Sequence, residues 1–171
     1  TSFREAALFT HRGLSGPAIL QISSHLQPGN YLTIDWLPDV PEDFLVTAKR
    51  ERPRELHKTI LAQRLPDRLA AVLAGQHLPR ELGDWKDEAL LAFAKRDLKQ
   101  AVLRPSSTEG YAKAEVTVGG IDTNALSQQT METRAVPGLF FIGEAIDVTG
   151  WLGGYNFQWA WSCGWAAGQA C

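Results

Sequence analysis

The stretch that decides the fold is Pro137-Gly-Leu-Phe-Phe-Ile-Gly-Glu144, followed by Ala145-Ile-Asp-Val-Thr-Gly-Trp-Leu-Gly-Gly-Tyr-Asn-Phe-Gln158. The apolar run from Leu139 to Ile142 follows a Pro-Gly turn and ends at a glycine, which is typical of a buried strand in an α/β sheet. A glycine loop and a long uncharged helical stretch come next. A strand, a glycine loop and a helix N-terminus together form a geometry that holds phosphates, because backbone N–H groups and the helix dipole face the anion. Such glycines also occur as plain turns, so the residue types alone fit both interpretations.

Three motifs, in order along the chain, resemble a known class of protein. They are Leu8-Phe-Thr-His-Arg-Gly-Leu-Ser-Gly-Pro17, then Ala114-Glu-Val-Thr-Val-Gly-Gly-Ile121, and the stretch from Gly138 to Ala160 quoted above. The set resembles flavoproteins with two dinucleotide-binding domains, and more closely the BaiN-like flavoprotein family, which includes aminoacetone oxidases. The resemblance spans nearly the whole chain.

The resemblance implies an FAD-dependent oxidoreductase whose last segment closes the FAD domain. It implies that Asp147 lies close to the ribityl chain and that backbone N–H groups at the start of the last helix stabilise negative charge on the reduced ring. The alternative role for the acidic residues is helix and loop capping. The implied cofactor shell is Gly143, Glu144, Asp147, Gly153, Gly154, Tyr155 and Asn156.

The resemblance implies that the loop after the first predicted strand lies near the flavin, and we take His11 and Arg12 of that loop as the candidate catalytic residues on the substrate side. A histidine side chain titrates near neutral pH and can therefore transfer a proton. An ordinary loop histidine in front of a well-capped structural helix fits the same residues. The substrate is expected to be a small molecule, and the hydride would come from NAD(P)H or from an amine or carbon substrate.

One motif of the family is absent. No Gly-x-Gly occurs in the chain, so the N-terminal fingerprint that grips the pyrophosphate is missing, as is the acidic ribose-binding residue that follows it. We therefore expect this to be the C-terminal part of a longer flavoprotein, with the N-terminal Rossmann half of the same protein as its partner. The fragment alone is expected to have little or no activity. A stand-alone domain without a cofactor is a competing interpretation.

The composition is that of an ordinary globular protein: 171 residues, 44% hydrophobic, 21% charged, with a formal net charge of −2. Cys163 and Cys171 lie eight residues apart in a predicted helix, about 12 Å along its axis, which is too far for a disulfide between them. No spacing predicts a metal site, and no signal-peptide pattern is visible, which favours the cytoplasm. Residues 148–171 carry no charge, but their polar side chains and five glycines favour a fully buried helix over a membrane span.

The pattern predicts a mixed α+β fold with four segments. Residues 1–48 form the β-rich part of an inserted domain with one helix, which begins at Pro17 and ends near Leu26. Residues 49–104 form a small three-helix bundle whose helices lie around Leu56 to Leu61, from Pro66 to Gly75, and after Asp84 as a cap. Residues 105–136 return the chain to β structure, with a strand at 111–118. Residues 137–171 form the Rossmann-like strand, loop and helix of the FAD domain.

The helical segment also suggests a different class of function. Residues 49–104 hold 13 of the 17 Lys/Arg and 8 of the 19 Asp/Glu, so this segment could be a basic binding module for nucleic acid or a protein partner. That function needs the basic residues on one face, including Arg50, Arg52, Arg54, Lys58, Arg64 and Arg68. Interleaved acids favour a solvated helical face instead, so nucleic acid is not the expected partner. His57 and His77 are predicted to be surface residues.

Overall fold

The computed structural model describes residues 1–75 and 81–171. The described chain divides into two compact units. One unit consists of Thr1–Pro28 and Ser107–Cys171, and the other consists of Gly29–Ser106. His77, predicted to be a surface residue, lies outside the described residues.

Six α-helices and four short strands occur in the described residues, in mixed order along the chain. In chain order they are β1 Leu8–Phe9, β2 Leu14–Ser15, α1 Pro17–Ser23, β3 Leu32–Ile34, α2 Phe44–Glu51, α3 His57–Ala62, α4 Asp67–Gly75, α5 Asp87–Phe93, β4 Ala101–Leu103 and α6 Tyr155–Gly168. Strands β1 and β2 form one antiparallel pair, and β3 and β4 form another. The pairing places Phe9 opposite Leu14 and Thr33 opposite Val102. This is the mixed α/β composition expected from the sequence.

The first helix begins where the sequence predicts. Pro17 occupies its first turn, where a missing N–H costs nothing, and Gly16 is the N-cap residue. Gly16 has a φ of 91°, and a Cβ built there would lie 2.9 Å from the carbonyl oxygen of Ala6. The helix ends at Ser23, three residues earlier than predicted.

The described residues of the unit Gly29–Ser106 contain four α-helices, α2 to α5, where the sequence predicted three within residues 49–104. The additional helix, α2, begins at Phe44, before the predicted boundary at residue 49, and buries Leu45, Val46 and Ala48. The prolines and acidic residues just before α2 are typical of a loop, so the sequence pattern did not predict a helix with this short apolar face. Asp84 does not cap α5 as predicted, because it lies in a 3-10 turn and Lys86 is the N-cap residue. The helices enclose a closed core that includes Leu45, Leu61, Leu82, Leu90 and Leu98, each 0% exposed.

The prediction that His57 lies on the surface is wrong. Its side chain is 2% exposed, with its ring centroid 5.2 Å from that of Trp85 and 4.6 Å from that of Phe93. His57 begins α3 and shares the buried face of that helix with Ile60 and Leu61. Residues that are three and four positions apart lie on one face of a helix. His57 therefore lies in the core with Ile60 and Leu61 despite its polar side chain.

Two predicted strands of the other unit do not form. In the stretch Leu139 to Ile142, Phe140 makes a single bridge with Glu132, while Leu139 and Ile142 are 41% and 47% exposed. Residues 111–118 contain the end of a 3-10 turn, Gly110–Ala112, and no strand. A strand is stabilised by its pairing, and the described residues supply these two stretches with one bridge. An apolar or alternating run of residues was therefore not sufficient to predict a strand at these two places.

The helix predicted at the C-terminal end is present as α6, but the prediction of a fully buried helix is wrong. Only Cys163 and Ala167 are buried. Phe157, Trp161 and Trp165, four residues apart on one face, are 69%, 67% and 70% exposed. The opposite face packs on a small core with Leu126, Met131 and Ile146. Within the described residues, no helix combines the length and the apolar character that crossing a membrane requires.

Candidate functional site

The loop before α6 is held in one shape by a side chain of that helix. The Asn156 side-chain oxygen accepts a hydrogen bond from the Gly150 N–H at 2.7 Å, and its Nδ2 donates to the Gly150 carbonyl at 3.1 Å. The asparagine amide therefore pairs with the loop backbone as another peptide group would. Gly153 and Gly154 follow with φ values of 116° and 88°, which glycine adopts without strain.

The start of α6 has the features of an anion-facing helix end. The N-cap residue Gly154 gives no side-chain cap, and the first turn contains no acidic residue. Nothing lies within 4 Å of a Cβ built on Gly154, so the space in front of this residue is open. Orphan N–H groups of a first turn and the helix dipole favour an electron-rich group at such a position. Tyr155 is the first helical residue and is 63% exposed.

The Gly143 peptide is held from both sides by α6. Its N–H donates to the Cys163 sulfur at 3.0 Å, and its carbonyl accepts from the Trp159 Nε1 at 3.2 Å. Cys163 is 2% exposed and donates in turn to the Ala160 carbonyl at 3.3 Å. The Gly143 amide is thus already satisfied within the protein. The 3-10 turn Gly143–Ala145 that follows presents Glu144 to solvent.

Asp147 is fixed by the paired glycines that the sequence singled out. Its Oδ1 accepts from the Gly119 N–H at 3.2 Å, and Ile121 exchanges backbone hydrogen bonds of 2.9 Å with Ala145 and Asp147. A Cβ built on Gly120 would lie 2.7 Å from the Ala145 carbonyl oxygen. A side chain at Gly120 would therefore collide with the protein's own backbone. This close approach joins residues 119–121 to the segment that carries Glu144 and Asp147.

A cleft of about 510 Å³ adjoins the loop before α6. Its walls are residues 2–5, Pro17 and Gln21 of α1, the loop residues 151–153, and Tyr155. Gly153 and Tyr155 are thus the predicted cofactor residues that line it. The Gln21 side-chain oxygen accepts from the Leu152 N–H at 3.3 Å, which joins α1 to the loop.

The two predicted catalytic residues lie elsewhere in the same unit, in the turn between β1 and β2. The Thr10 hydroxyl oxygen accepts hydrogen bonds from the N–H groups of Arg12 and Gly13, each at 3.1 Å. Arg12 pairs with the Glu109 carboxylate at 2.8 Å. His11 is exposed, and neither His11 nor Arg12 lines the cleft. The structure therefore does not bring this pair together with Gly153 and Tyr155.

The structure also weakens the basic-module interpretation of the helices. Gly29–Ser106 contains thirteen Lys/Arg and twelve Asp/Glu, a formal charge of +1, because acids at 35–43 belong to the same unit. Several basic residues are paired. Lys49 donates to the Asp87 carboxylate at 2.7 Å, Arg50 lies 4.0 Å from the same group, and Arg52 contacts Glu55 at 3.0 Å.

Two pKa shifts in the helical unit follow from such pairs. The hydrogen bond from Lys49 lowers the pKa of Asp87, and the charges of Lys49 and Arg50 add to that effect. The hydrogen bond to Asp97 raises the pKa of Arg96. Each shift belongs to a structural charge pair at the protein surface in which one partner is partly buried, so the shifts do not indicate a catalytic site.

Comparison with known proteins identifies the class. The family described as "HI0933-like protein Rossmann domain" matches residues 16–170, so this chain belongs to that family of Rossmann-type, FAD-binding flavoproteins. The match covers nearly the whole chain, including the helical unit Gly29–Ser106. It supports the predicted flavoprotein class and an enzyme of the oxidoreductase type.

Three relatives with curated names align along nearly all of the chain. It is 52% identical to the ribosomal RNA dihydrouridine synthase of Escherichia coli K12, over 99% of this chain and 43% of that protein. It is 47% identical to the protein of the same name from Haemophilus influenzae, over 96% of this chain and 42% of that protein. It is 31% identical to the 3-dehydro-bile acid delta(4,6)-reductase of Clostridium scindens, over 94% of this chain and 42% of that protein. The chain thus spans less than half the length of these relatives.

The residues present fit an FAD molecule in part. The open space at Gly154 and the uncapped first turn of α6 suit the electron-rich edge of a flavin ring. Exposed Asp147 suits a ribityl hydroxyl. In contrast, the Asn156 amide and the Gly143 peptide are used in internal hydrogen bonds, so they shape the site.

Sequence reasoning overlooked Trp159 and Cys163, although their spacing of four places both on one face of α6. Within the described residues no group of His, Cys, Asp or Glu could hold a metal ion.

Proposed function

We propose that this chain is part of an FAD-dependent reductase that converts uridine in ribosomal RNA to dihydrouridine. The observation that carries the proposal is the fixed loop at the α6 N-terminus beside an open cleft, in a chain that is 52% identical along 99% of its length to a ribosomal RNA dihydrouridine synthase. The name of the 31% identical relative, a 3-dehydro-bile acid delta(4,6)-reductase, also describes the reduction of double bonds. The shared chemistry is the addition of two hydrogens to a carbon–carbon double bond conjugated to a carbonyl group.

The protein residues have separate tasks in this proposal. When bound and reduced by NAD(P)H, FAD would supply a hydride, and the second hydrogen would reach the uracil ring as a proton from an acidic side chain or from water. The N–H groups of the first turn of α6 stabilise negative charge at the ring edge that they face. Asp147, held by Gly119, accepts a hydrogen bond from the ribityl chain, and Glu144 is exposed on the adjacent 3-10 turn. Gly143, Trp159 and Cys163 keep that turn in place.

The proposed substrate revises two expectations. From the sequence we expected a small-molecule substrate and did not expect a nucleic acid as partner. The proposed substrate is instead a base within an RNA, so the partner is a nucleic acid and the reacting group is a small planar ring. We also propose that activity belongs to a protein of the length of the relatives, which contains the missing Rossmann half, and that this chain alone is inactive. His11 and Arg12 remain candidates for the substrate side, with Arg12 oriented by Glu109.

The test is reduction of ribosomal RNA in vitro. A protein of the relatives' length that contains this chain should be yellow, and with NAD(P)H it should add two hydrogens to a uridine in unmodified ribosomal RNA, detected by mass spectrometry of the nucleosides. A colourless protein that takes up no FAD would contradict the flavin part. Reduction of a small unsaturated ketone with no change in RNA would contradict the RNA part and favour a small-molecule reductase.

A further inference from the structure

We propose that the cleft beside the α6 loop is the subsite for the uracil base, with Trp151 as its stacking surface. This inference rests on the proposed function, because it names where the substrate of that reaction binds. The argument uses the size of the cleft, its aromatic wall, its charge and its position.

The cleft has the size and the aromatic wall that a nucleobase needs. Its volume of about 510 Å³ falls within the range of small-ligand sites. Trp151 and Tyr155 line it and are each 63% exposed, so both rings have accessible faces. The Phe3 ring meets the Trp151 ring edge to face, with centroids 5.5 Å apart and an interplanar angle of 84°. That contact orients the indole, and an oriented aromatic ring is the usual stacking partner of an unpaired base.

The polar lining favours a neutral ring over a phosphate. Arg4 and Glu5 are the charged residues among the lining residues, so their charges cancel. A site for a phosphate or pyrophosphate needs net positive charge or converging N–H groups. Uracil instead presents two carbonyl acceptors with an N–H donor between them. An arginine can donate to such a carbonyl and a carboxylate can accept from the N–H.

The position of the cleft joins it to the proposed cofactor side. Gly153 and Tyr155 line the cleft and also belong to the loop and helix start at which the flavin ring is proposed to lie. Gln21 of α1 accepts a hydrogen bond from the Leu152 N–H, so the α1 wall of the cleft is joined to the loop wall formed by residues 151–153. A ring stacked on Trp151 therefore lies beside the open space at Gly154 instead of at a remote surface.

The experiment measures the binding of uridine 5′-monophosphate to a protein of the relatives' length that contains this chain, by equilibrium titration. Trp151→Ala should weaken binding about fivefold or more, the loss that removal of one base–aromatic stack produces. Trp161→Ala is the matched control, because Trp161 is 67% exposed on α6 and does not line the cleft. Circular dichroism and thermal unfolding establish that both variants are folded. Cytidine 5′-monophosphate should bind several-fold more weakly than the uridine nucleotide, and Glu5→Gln should reduce that preference.

Four results would overturn the subsite: no uridine nucleotide binding at millimolar concentration, equal binding by wild type and Trp151→Ala, equal losses in both tryptophan variants, or displacement of the nucleotide by FAD in simple competition. The last result would assign the cleft to the cofactor. Failure of the RNA reduction assay with intact, Trp151-dependent nucleotide binding would overturn the proposed reaction and leave the subsite standing.

Discussion

The helical unit Gly29–Ser106 and the unit that carries the candidate site bury their apolar side chains very differently. In the helical unit, leucines of α2, α3 and α5 and of the flanking turns are fully buried in one core. In the other unit, a core of five buried residues lies behind α6, while Phe157, Trp161 and Trp165 remain exposed. Four helices pack their apolar faces together to complete the first core. The core of the unit that carries α6 depends on apolar stretches that find few pairing partners. A smaller share of its hydrophobic side chains is therefore buried.

The largest effect is expected from a matched pair of truncations, one in each region. Leu61→Ala removes a side chain that is 0% exposed and should lower the free energy of unfolding by about 2–5 kcal/mol. Trp165→Ala removes a larger side chain that is 70% exposed and should change it by less than about 0.5 kcal/mol. Urea unfolding followed by circular dichroism measures both values. An equal cost would mean that the α6 face is covered in the protein and would remove the contrast.

A second pair of variants tests how tightly the paired glycines approach the segment that carries Asp147. Gly119 and Gly120 have φ values of 98° and 141°, so alanine is strained at both positions. Only at Gly120 would the added Cβ meet backbone, at 2.7 Å from the Ala145 oxygen. Gly120→Ala should therefore cost about 1–3 kcal/mol more than Gly119→Ala in thermal unfolding. Similar melting temperatures would show that the two segments are not in contact.

A third pair concerns the buried thiol that holds Gly143. Cys163→Ala removes the acceptor of a buried N–H and should cost about 1–3 kcal/mol. Cys163→Ser keeps an atom that accepts and donates, so its cost should be clearly smaller. If Gly143 positions the cofactor turn, alanine should also weaken FAD binding more than serine does, measured by flavin fluorescence in the full-length protein. Alanine and serine variants with the same stability would exclude this role of the sulfur.

The smallest effect is expected at the surface pair of Lys49 and Asp87, and it should depend on pH. The folded-state pKa of Asp87 is lowered by Lys49, so the carboxylate stabilises the fold above its unfolded pKa of about 4. That contribution is lost as the pH falls through the lowered folded value. Asp87→Asn should thus be less stable than wild type at pH 7, and the difference in urea midpoint should shrink toward pH 3. A difference that persists unchanged at pH 3 would refute the ion pair as its cause.

The sequence predicted what local rules determine. The start of α1 followed from Pro17, α4 from Pro66 and Gly75, and α6 from the stretch after the glycine loop. Predictions failed where distant residues decide. The run Leu139 to Ile142 reads as a strand, but its single bridge depends on Glu132. His57 reads as polar, but its place on the face with Ile60 and Leu61 buries it.

The candidate site divides in the same way. The glycine loop and the first turn of α6 could be predicted because they are adjacent in sequence. The hold of Cys163 and Trp159 on Gly143 spans sixteen to twenty residues, and the bond from Gly119 to Asp147 spans twenty-eight. The cleft depends on Gln21 and Leu152, which are 131 residues apart. No periodicity in one sequence reports such pairs, so these contacts needed the structure.

The bond pair between Asn156 and Gly150 has a consequence for the order in which the chain assembles. It closes a loop of only seven residues, 150–156, so its entropic cost is small and it can form as soon as α6 does. The two ends of the loop are therefore held by a local contact, whereas Leu152, Gly143 and Asp147 are also held by residues more distant in the sequence. The geometry from Gly150 to Asn156 is thus set by hydrogen bonds between residues that are near neighbours in the sequence.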